Sequence, residues 1–351
     1  MKARGAVIVF CALWFLCGCG GRTKRTARPA ETIEFFALNT RVSLSAYGDN
    51  AAEALQAARQ VIEQCEEKWS VTNTRSELYA INHGGGIRRT ISGETARLIA
   101  YALDMARKTD GVFDPTVYPV VRAWGFTTDE YGVPSDERMS SVLPLVGYEK
   151  ILLDGNDITV PDGMQLDLGA VAKGYIGDLV IDCLCGYGIE SAIVNLGGNV
   201  QLIGRKDDGT DWNIGVRSPF GDGAFASVRL DGQAIITSGG YQRNFTGEDG
   251  NVYHHIMNPR TGRPADSGLA SVSIIAADGK YCDALSTACF VMGAEKAIAF
   301  WRGQGGFDMV LVTDAREVFV TEAIADKFAL TEASDEWKVT VIQSDGGKNN
   351  D

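Results

Sequence analysis

Asp283 and Thr287, in the run Asp283-Ala-Leu-Ser-Thr287, put a carboxylate and a hydroxyl four residues apart, on one face of a predicted helix. Hard oxygen donors in that arrangement suit Mg²⁺, which takes a few protein oxygens and completes its shell with water and substrate phosphates. The stretch from Gln165 to Gly174 (QLDLGAVAKG) leads from an extended segment into a helix. A helix start offers free N–H groups and a positive dipole end to a phosphate, and Lys173 adds a cation one turn further in. Gly111 to Thr116 (GVFDPT) places an acid and a proline just after a helix, and Asn195–Asn199 (NLGGN) and Thr237–Tyr241 (TSGGY) let backbone approach a ligand closely. Histidine is scarce, with His83 and the adjacent pair His254–His255. Singly, each feature is also explained by a tight turn, a helix cap, a solvated lysine or a hydrogen-bonded histidine. The chain carries no G-x-S-x-G elbow, P-loop, G-x-G-x-x-G after a strand, or H-E-x-x-H. Asp207–Ser218 is no calcium loop, because Trp212 stands where a glycine is needed and Ser218 where a glutamate is needed.

The elements that must position these residues read as follows. Thr32–Tyr47 is rich in β-formers and predicts one or two opening strands. Asp49 is the expected N-cap of a strong helix whose Leu55, Ala58, Ile62, Cys65 and Trp69 share one face. Further helices are predicted over Gly93–Lys108, Gly169–Gly186 and Asp283–Arg302. Short strands are predicted at Ile151–Leu153, Ser191–Asn195, Val200–Ile203, Trp212–Val216, Ala226–Leu230 and Val272–Ala276, with a late hairpin, Met309–Thr313 and Glu317–Val320. Long helices among hairpin-spaced strands indicate an α+β architecture, one large domain over residues 32–343 with mixed or antiparallel sheets and flanking helices. Ser344–Asp351 is expected to fray.

The amino terminus reads as an export signal. Lys2 and Arg4 precede the uncharged run Ala6–Leu16, which is too short for a hydrocarbon core that needs about 20 apolar residues. Leu16-Cys17-Gly18-Cys19 follows and resembles the bacterial lipobox, which implies cleavage after Gly18 and lipidation of Cys19. Multiple acyl chains, at about 0.8 kcal/mol per buried CH₂, anchor stably where one would not. Residues 19–31 are polar and basic and read as a flexible tether. The expected location is lipid-anchored, on the periplasmic face of the inner membrane. Removing Lys2 and Arg4 with the signal moves the formal net charge from −12 to −14, and so acidic a surface repels phosphate backbones, so nucleic acid is not an expected partner. Past the anchor, Cys65, Cys183, Cys185, Cys282 and Cys289 are too few for a disulfide framework and read mostly as small buried apolar residues.

Five colinear segments resemble the ApbE family of FAD:protein FMN transferases: Gly111–Thr116, Asp167–Gly174 (DLGAVAKG), Asn195–Asn199, His255–Gly262 (HIMNPRTG) and Asp283–Thr287. The likeness runs from about Phe35 to Phe328. It implies a Mg²⁺-dependent enzyme that moves FMN from FAD onto a threonine or serine of a membrane redox protein and releases AMP. By the resemblance, Ala170 (through its carbonyl), Asp283 and Thr287 hold Mg²⁺ against the pyrophosphate. Val112, Phe113, Asp114, Asp167, Lys173 and Ile256 line the FAD site, with Leu38 and Asn73 at its rim, and His255 handles the acceptor's proton. The chain departs from the family at two places: Leu38-Asn39-Thr40 stands where Met-Gly-Thr is usual, and Asn73 where an aromatic residue is usual. A missing ring there removes a stacking surface and favours turning FAD over above storing it. Two rival readings keep the site: hydrolysis of FAD to FMN and AMP, and non-catalytic flavin carriage.

Overall fold

The computed structural model describes residues 29–128, 130–331 and 336–344. The signal segment, Cys19, nearly all of the tether and the tail beyond Ser344 lie outside the described residues.

Nine strands form one sheet whose spatial order follows chain order. They are β1 (Glu31–Ala37), β2 (Thr40–Tyr47), β3 (Ser191–Leu196), β4 (Asn199–Ile203), β5 (Ala234–Gly239), β6 (Leu269–Ala276), β7 (Asp308–Thr313), β8 (Glu317–Thr321) and β9 (Lys338–Ile342). Neighbours pair antiparallel except β8 and β9, which run parallel. Helices are inserted between β2 and β3 and between β6 and β7, which gives the predicted α+β architecture with helices flanking the sheet. β5 and β9 were not foreseen: the glycines of Thr237–Tyr241 read as a turn, and β9 (KVTVI) is a short, mostly exposed segment close to the carboxyl terminus.

Burial of both faces explains the strand sequences. Leu44, Val194, Ile236, Ile274, Met309 and Leu311 point to one core, shared with the helices. Their neighbours Ile235, Ile275, Val310 and Val312 point to a second core beneath a three-stranded sheet of Trp212–Arg217, Ala224–Leu230 and Phe328–Leu330. A third cluster (Val120, Trp124, Phe126, Met139, Val142, Met257) holds together a lobe at the side, pinned by the Trp124 indole N–H donating to the Gly262 carbonyl at 2.8 Å.

The helices that matter for the site are α1 (Ala51–Trp69), α2 (Gly93–Lys108), α3 (Gly169–Gly186), α4 (Gly279–Met292) and α5 (Ala294–Gln304). α1 buries the predicted face, including Leu55, Ala58, Ile62, Cys65 and Trp69, against α3 and the β1–β2 hairpin. Its cap is corrected: Asn50, not Asp49, precedes the first helical residue, and no side chain caps the end. The predicted helix Asp283–Arg302 is corrected too. It is two helices, broken where Gly293 turns left-handed (φ 80°), and the first begins at Gly279. Asp283 is therefore inside a helix and caps nothing. The cap comes from α3, where the Asp178 carboxylate accepts the Gly279 and Lys280 N–H groups at 2.7 and 3.1 Å. Of the five cysteines past the anchor, Cys65, Cys282 and Cys289 are buried as expected, whereas Cys183 is half-buried and Cys185 exposed.

α3 and α4 cross at a contact that only glycine permits. A Cβ on Gly174 would stand 2.3 Å from the Gly279 carbonyl oxygen and 2.7 Å from Asp283 Cβ, and Cβ atoms on Gly177 or Gly279 would strike the Gln201 amide at 2.0 and 1.8 Å. In an open helix, glycine to alanine stabilises by about 0.5–1 kcal/mol. Here overpacking decides the sign, and Gly174→Ala is expected to cost about 1–3 kcal/mol. Urea unfolding checks this against Gly186→Ala, where a Cβ meets nothing within 4 Å and stability should hold or rise.

Candidate functional site

The close crossing of α3 and α4 brings Asp283 to the start of α3. Its Oδ2 accepts the Gly174 N–H at 2.8 Å. In a regular helix that N–H serves the carbonyl four residues back, which is Ala170, so the carboxylate competes with the Ala170 carbonyl for it. Asp283 is only 4% exposed, and burial raises its pKa despite the Lys173 ammonium and the Gly174 N–H, which both favour the charge. The buried Asn199 amide also favours that charge, although its Nδ2 makes no full hydrogen bond. One turn along α4, the half-buried Thr287 hydroxyl lies 3.3 Å from Ser238 Oγ of β5.

The amino end of α3 is tied to the GVFDPT loop. Asp167 N–H donates to the Pro115 carbonyl at 2.7 Å, and Asp167 Oδ1 accepts the Gly169 N–H at 2.8 Å. Burial pushes the Asp167 pKa up, opposed by that N–H and by the Arg243 charge. Within the loop, Phe113 is buried and Val112 half-buried. Asp114 is turned to internal use: Oδ1 accepts the Thr116 N–H and hydroxyl at 2.8 and 2.6 Å, and Oδ2 accepts the Tyr148 N–H at 3.1 Å.

The two adjacent histidines have different jobs. His254 Nδ1 accepts the Ile256 N–H at 3.2 Å, so its Nε2 carries the proton and donates to the Ala265 carbonyl at 3.1 Å. Both nitrogens are thus used inside the fold, and the same turn buries Ile256. His255 Nδ1 lies 3.1 Å from the Arg243 carbonyl, which can only accept, so Nδ1 carries the proton and Nε2 the lone pair. Burial, the Arg243 and Lys173 charges and neighbouring His254 lower the His255 pKa to about 4, outweighing the Arg243 carbonyl, so the ring is neutral at pH 7. Phe126 stands edge-on to it at 6.3 Å.

Shared charges link these groups. Lys173 acts on both Asp283 and His255, and Arg243 on both Asp167 and His255. Leu38 and Asn73 join through α1. Leu38 and Asn39 form the two-residue β1–β2 turn with φ of 53° and 57°, a conformation costly for leucine, and the Leu38 N–H is held by Glu66 at 2.9 Å. Asn73 lies just past the end of α1, its Oδ1 accepting the Arg75 N–H at 3.1 Å. α1 meets α3 where Trp69 stands edge-on to Tyr175 at 5.7 Å. His83 is elsewhere, stacked on Tyr79 at 3.8 Å.

Sequence reasoning missed Arg243, Ser238 and Asn199 as participants. Arg243 lies between the TSGGY segment and the histidine pair, a signal that was available. Ser238 and Asn199 stood inside quoted segments that were read only for their glycines.

Residues 38–311 match the model of the ApbE family. The chain is 32% identical to the FAD:protein FMN transferase of Treponema pallidum, covering 93% of this chain and 95% of that one. It is 35% identical to one from Klebsiella pneumoniae over 75% of this chain and 83% of the relative. Among solved structures, the ApbE protein of Thermotoga maritima superposes with a TM-score of 0.80 at 35% identity, covering 84% of this chain and 98% of that one. The apo form of the Pseudomonas stutzeri flavinyl transferase ApbE gives 0.73 at 28% identity, covering 81% and 91%. With most of its length matched to the family model and to relatives above 30% identity, the chain belongs to the ApbE family.

Proposed function

We propose that this chain is a Mg²⁺-dependent FAD:protein FMN transferase, the activity named for its relatives from Treponema pallidum and Klebsiella pneumoniae. The observation that carries the reading is the convergence of Asp283, Thr287, the Ala170 carbonyl and Lys173 beside a neutral His255. The donor set fits the ion. It is one buried carboxylate, one hydroxyl and one backbone carbonyl, all hard oxygens and few enough to leave room for substrate phosphates. No group of three or more His, Cys, Asp or Glu that could hold a metal occurs among the described residues, so a softer, nitrogen- or sulfur-rich site is not what these residues build. Ala170, Asp283 and Thr287 would hold Mg²⁺, which when bound would neutralise the FAD pyrophosphate and set its orientation.

This chain's own residues do the rest. The amino end of α3 and Lys173 receive the pyrophosphate. Val112, Phe113, Asp167 and Ile256 line the flavin nucleotide, Asp114 holds its loop in shape, and Leu38 and Asn73 form the rim. His255 Nε2 takes the proton from a threonine or serine hydroxyl of the acceptor as that oxygen bonds to the FMN-side phosphorus. The bond from that phosphorus to the bridging oxygen breaks, and AMP leaves with the electron pair. Positioning and electrostatics supply most of the acceleration in such transfers.

One observation favours a second activity at the same site. Asn73 offers no ring to stack on FAD, so the nucleotide is held less tightly, and water in place of the acceptor hydroxyl would give free FMN and AMP. We place the enzyme on the periplasmic face of the inner membrane, held by lipid on Cys19 within reach of membrane redox subunits. Among the described residues, no helix is long and apolar enough to cross a membrane.

Incubating the domain with FAD, Mg²⁺ and an acceptor subunit, then weighing the products, tests the reading. FMN bound to the acceptor and an equal amount of AMP are expected; intact FAD after prolonged incubation overturns it. Asp283→Asn keeps the volume and removes the charge, and should slow AMP release by more than about 100-fold. Undiminished turnover would remove Asp283 from the metal site.

With three histidines in the chain, ring-proton NMR separates them readily. In protein free of FAD and metal, His255 should stay neutral with its proton on Nδ1 until about pH 4. Since its pKa is lowered on folding, His255 costs stability as pH falls below the ordinary 6.5, and that cost is complete below about pH 4. A midpoint near 6.5 would mean the ring is not desolvated. His255→Ala should lose transfer to protein selectively, while FAD binding survives.

A further inference from the structure

Ser238 of β5 touches two hydroxyls of α4, Ser286 Oγ at 2.8 Å and Thr287 Oγ1 at 3.3 Å. A third contact gives this cluster a direction. Ser286 Oγ donates to the carbonyl of Asp283 at 2.9 Å, and a carbonyl can only accept. A serine has one hydroxyl hydrogen, so Ser286 has none left for Ser238. Ser238 must then donate to Ser286, which spends its own hydrogen, and the remaining contact requires Thr287 to donate to Ser238. The one arrangement that satisfies all three contacts runs Thr287 to Ser238 to Ser286 to the Asp283 carbonyl. Its consequence is at the near end. The Thr287 hydrogen is held toward the sheet, and the oxygen's remaining lone pairs are kept off that side. Ser286 is fully buried, so water does not compete at the far end.

We infer that Ser238 is a positioning residue for the divalent-cation site, fixing the Thr287 hydroxyl as a lone-pair donor by way of a directed hydroxyl relay into Ser286. The inference rests on the reading of Asp283 and Thr287 as cation ligands and adds how one of them is held ready. A hydroxyl free to rotate spends part of its time pointing its hydrogen at the ion and must be reoriented on binding. One locked from behind pays that cost during folding. The relay also couples the ligands, because it starts at the Thr287 side chain and ends on the main chain of Asp283.

Mn²⁺ titrated into the FAD-free full domain and followed by electron paramagnetic resonance reads the site without turnover, and flavin fluorescence in chelator reads FAD binding separately. Ser238→Ala is expected to weaken Mn²⁺ binding by about 10-fold or more, with metal-free FAD binding unchanged. Ser286→Ala should weaken it as well, since Ser238 would then turn its hydrogen toward Thr287. The double variant should be no worse than the weaker-binding single, and Ser238→Thr, which keeps the hydroxyl, should recover most of the affinity. Additive losses, or failure of Ser238→Thr to recover binding in protein with an unchanged circular dichroism spectrum, would overturn the relay. Parental Mn²⁺ affinity in Ser238→Ala alongside weak binding by Asp283→Asn would overturn the relay alone. Parental affinity in Asp283→Asn would remove the cation site itself, and the relay with it.

Discussion

The structure depends most on the distance between two helices. α3 and α4 touch backbone to side chain because Gly174, Gly177 and Gly279 present no Cβ where the helices cross, and Gln201 fills the notch they leave, donating to the Gly174 carbonyl at 2.8 Å. At any ordinary interhelical distance of 8–10 Å a carboxylate on one helix meets only the other's side chains. Here Asp283 reaches a main-chain N–H inside α3. A hydrogen bond to a charged, buried acceptor contributes about 1.5–3 kcal/mol, and it helps hold a charge that burial disfavours. The same contact draws on the N–H that the Ala170 carbonyl would otherwise use. Asp283 reaches into the backbone of α3 because the two helices are too close at Gly174 for anything but glycine.

The second half of the site is built on the opposite principle. His255 is positioned by a loop hairpin beside the cluster around Trp124 and Phe126, with no carboxylate partner among the described residues. The Arg243 carbonyl fixes the tautomer, as an aspartate could, but adds no negative charge to raise the pKa. With Lys173 and Arg243 nearby, the imidazole is neutral and ready to accept a proton. In the proposed reaction, the pyrophosphate's negative charge would favour the imidazolium as it forms. The sheet-and-helix frame carries Asp283 and Thr287 on α4 and Ala170 on α3, the proposed cation ligands. His255, the proposed proton acceptor, sits beside the separate cluster around Trp124 and Phe126.

Much of this was legible in the chain itself. α2 and α3 have the bounds their periodicity predicts, and Leu55, Ala58, Ile62, Cys65 and Trp69 bury as one face of α1. The colinear motif segments resemble the ApbE family, and the family model matches residues 38–311. What escaped was non-local. Nothing near Gly279 announces that Asp178, a hundred residues earlier, caps α4, so the helix start was set at Asp283. Gly293 inside an apolar run reads as a tolerated helical glycine until its backbone turns left-handed. Thr237–Tyr241 reads as a loop because its glycines dominate, yet Thr237 and Ser238 belong to a central strand. The division of labour between His254 and His255 is equally invisible, since it depends on which carbonyl each ring meets.

A crystal structure of the protein with FAD and Mg²⁺, at a resolution that places the ion, decides whether the α3–α4 crossing is the cation site. The cation is expected about 2.1 Å from the Ala170 carbonyl, an Asp283 carboxylate oxygen and the Thr287 hydroxyl, and beside the pyrophosphate at the amino end of α3. A cation held elsewhere, or a pyrophosphate bound away from the α3–α4 crossing, would contradict it.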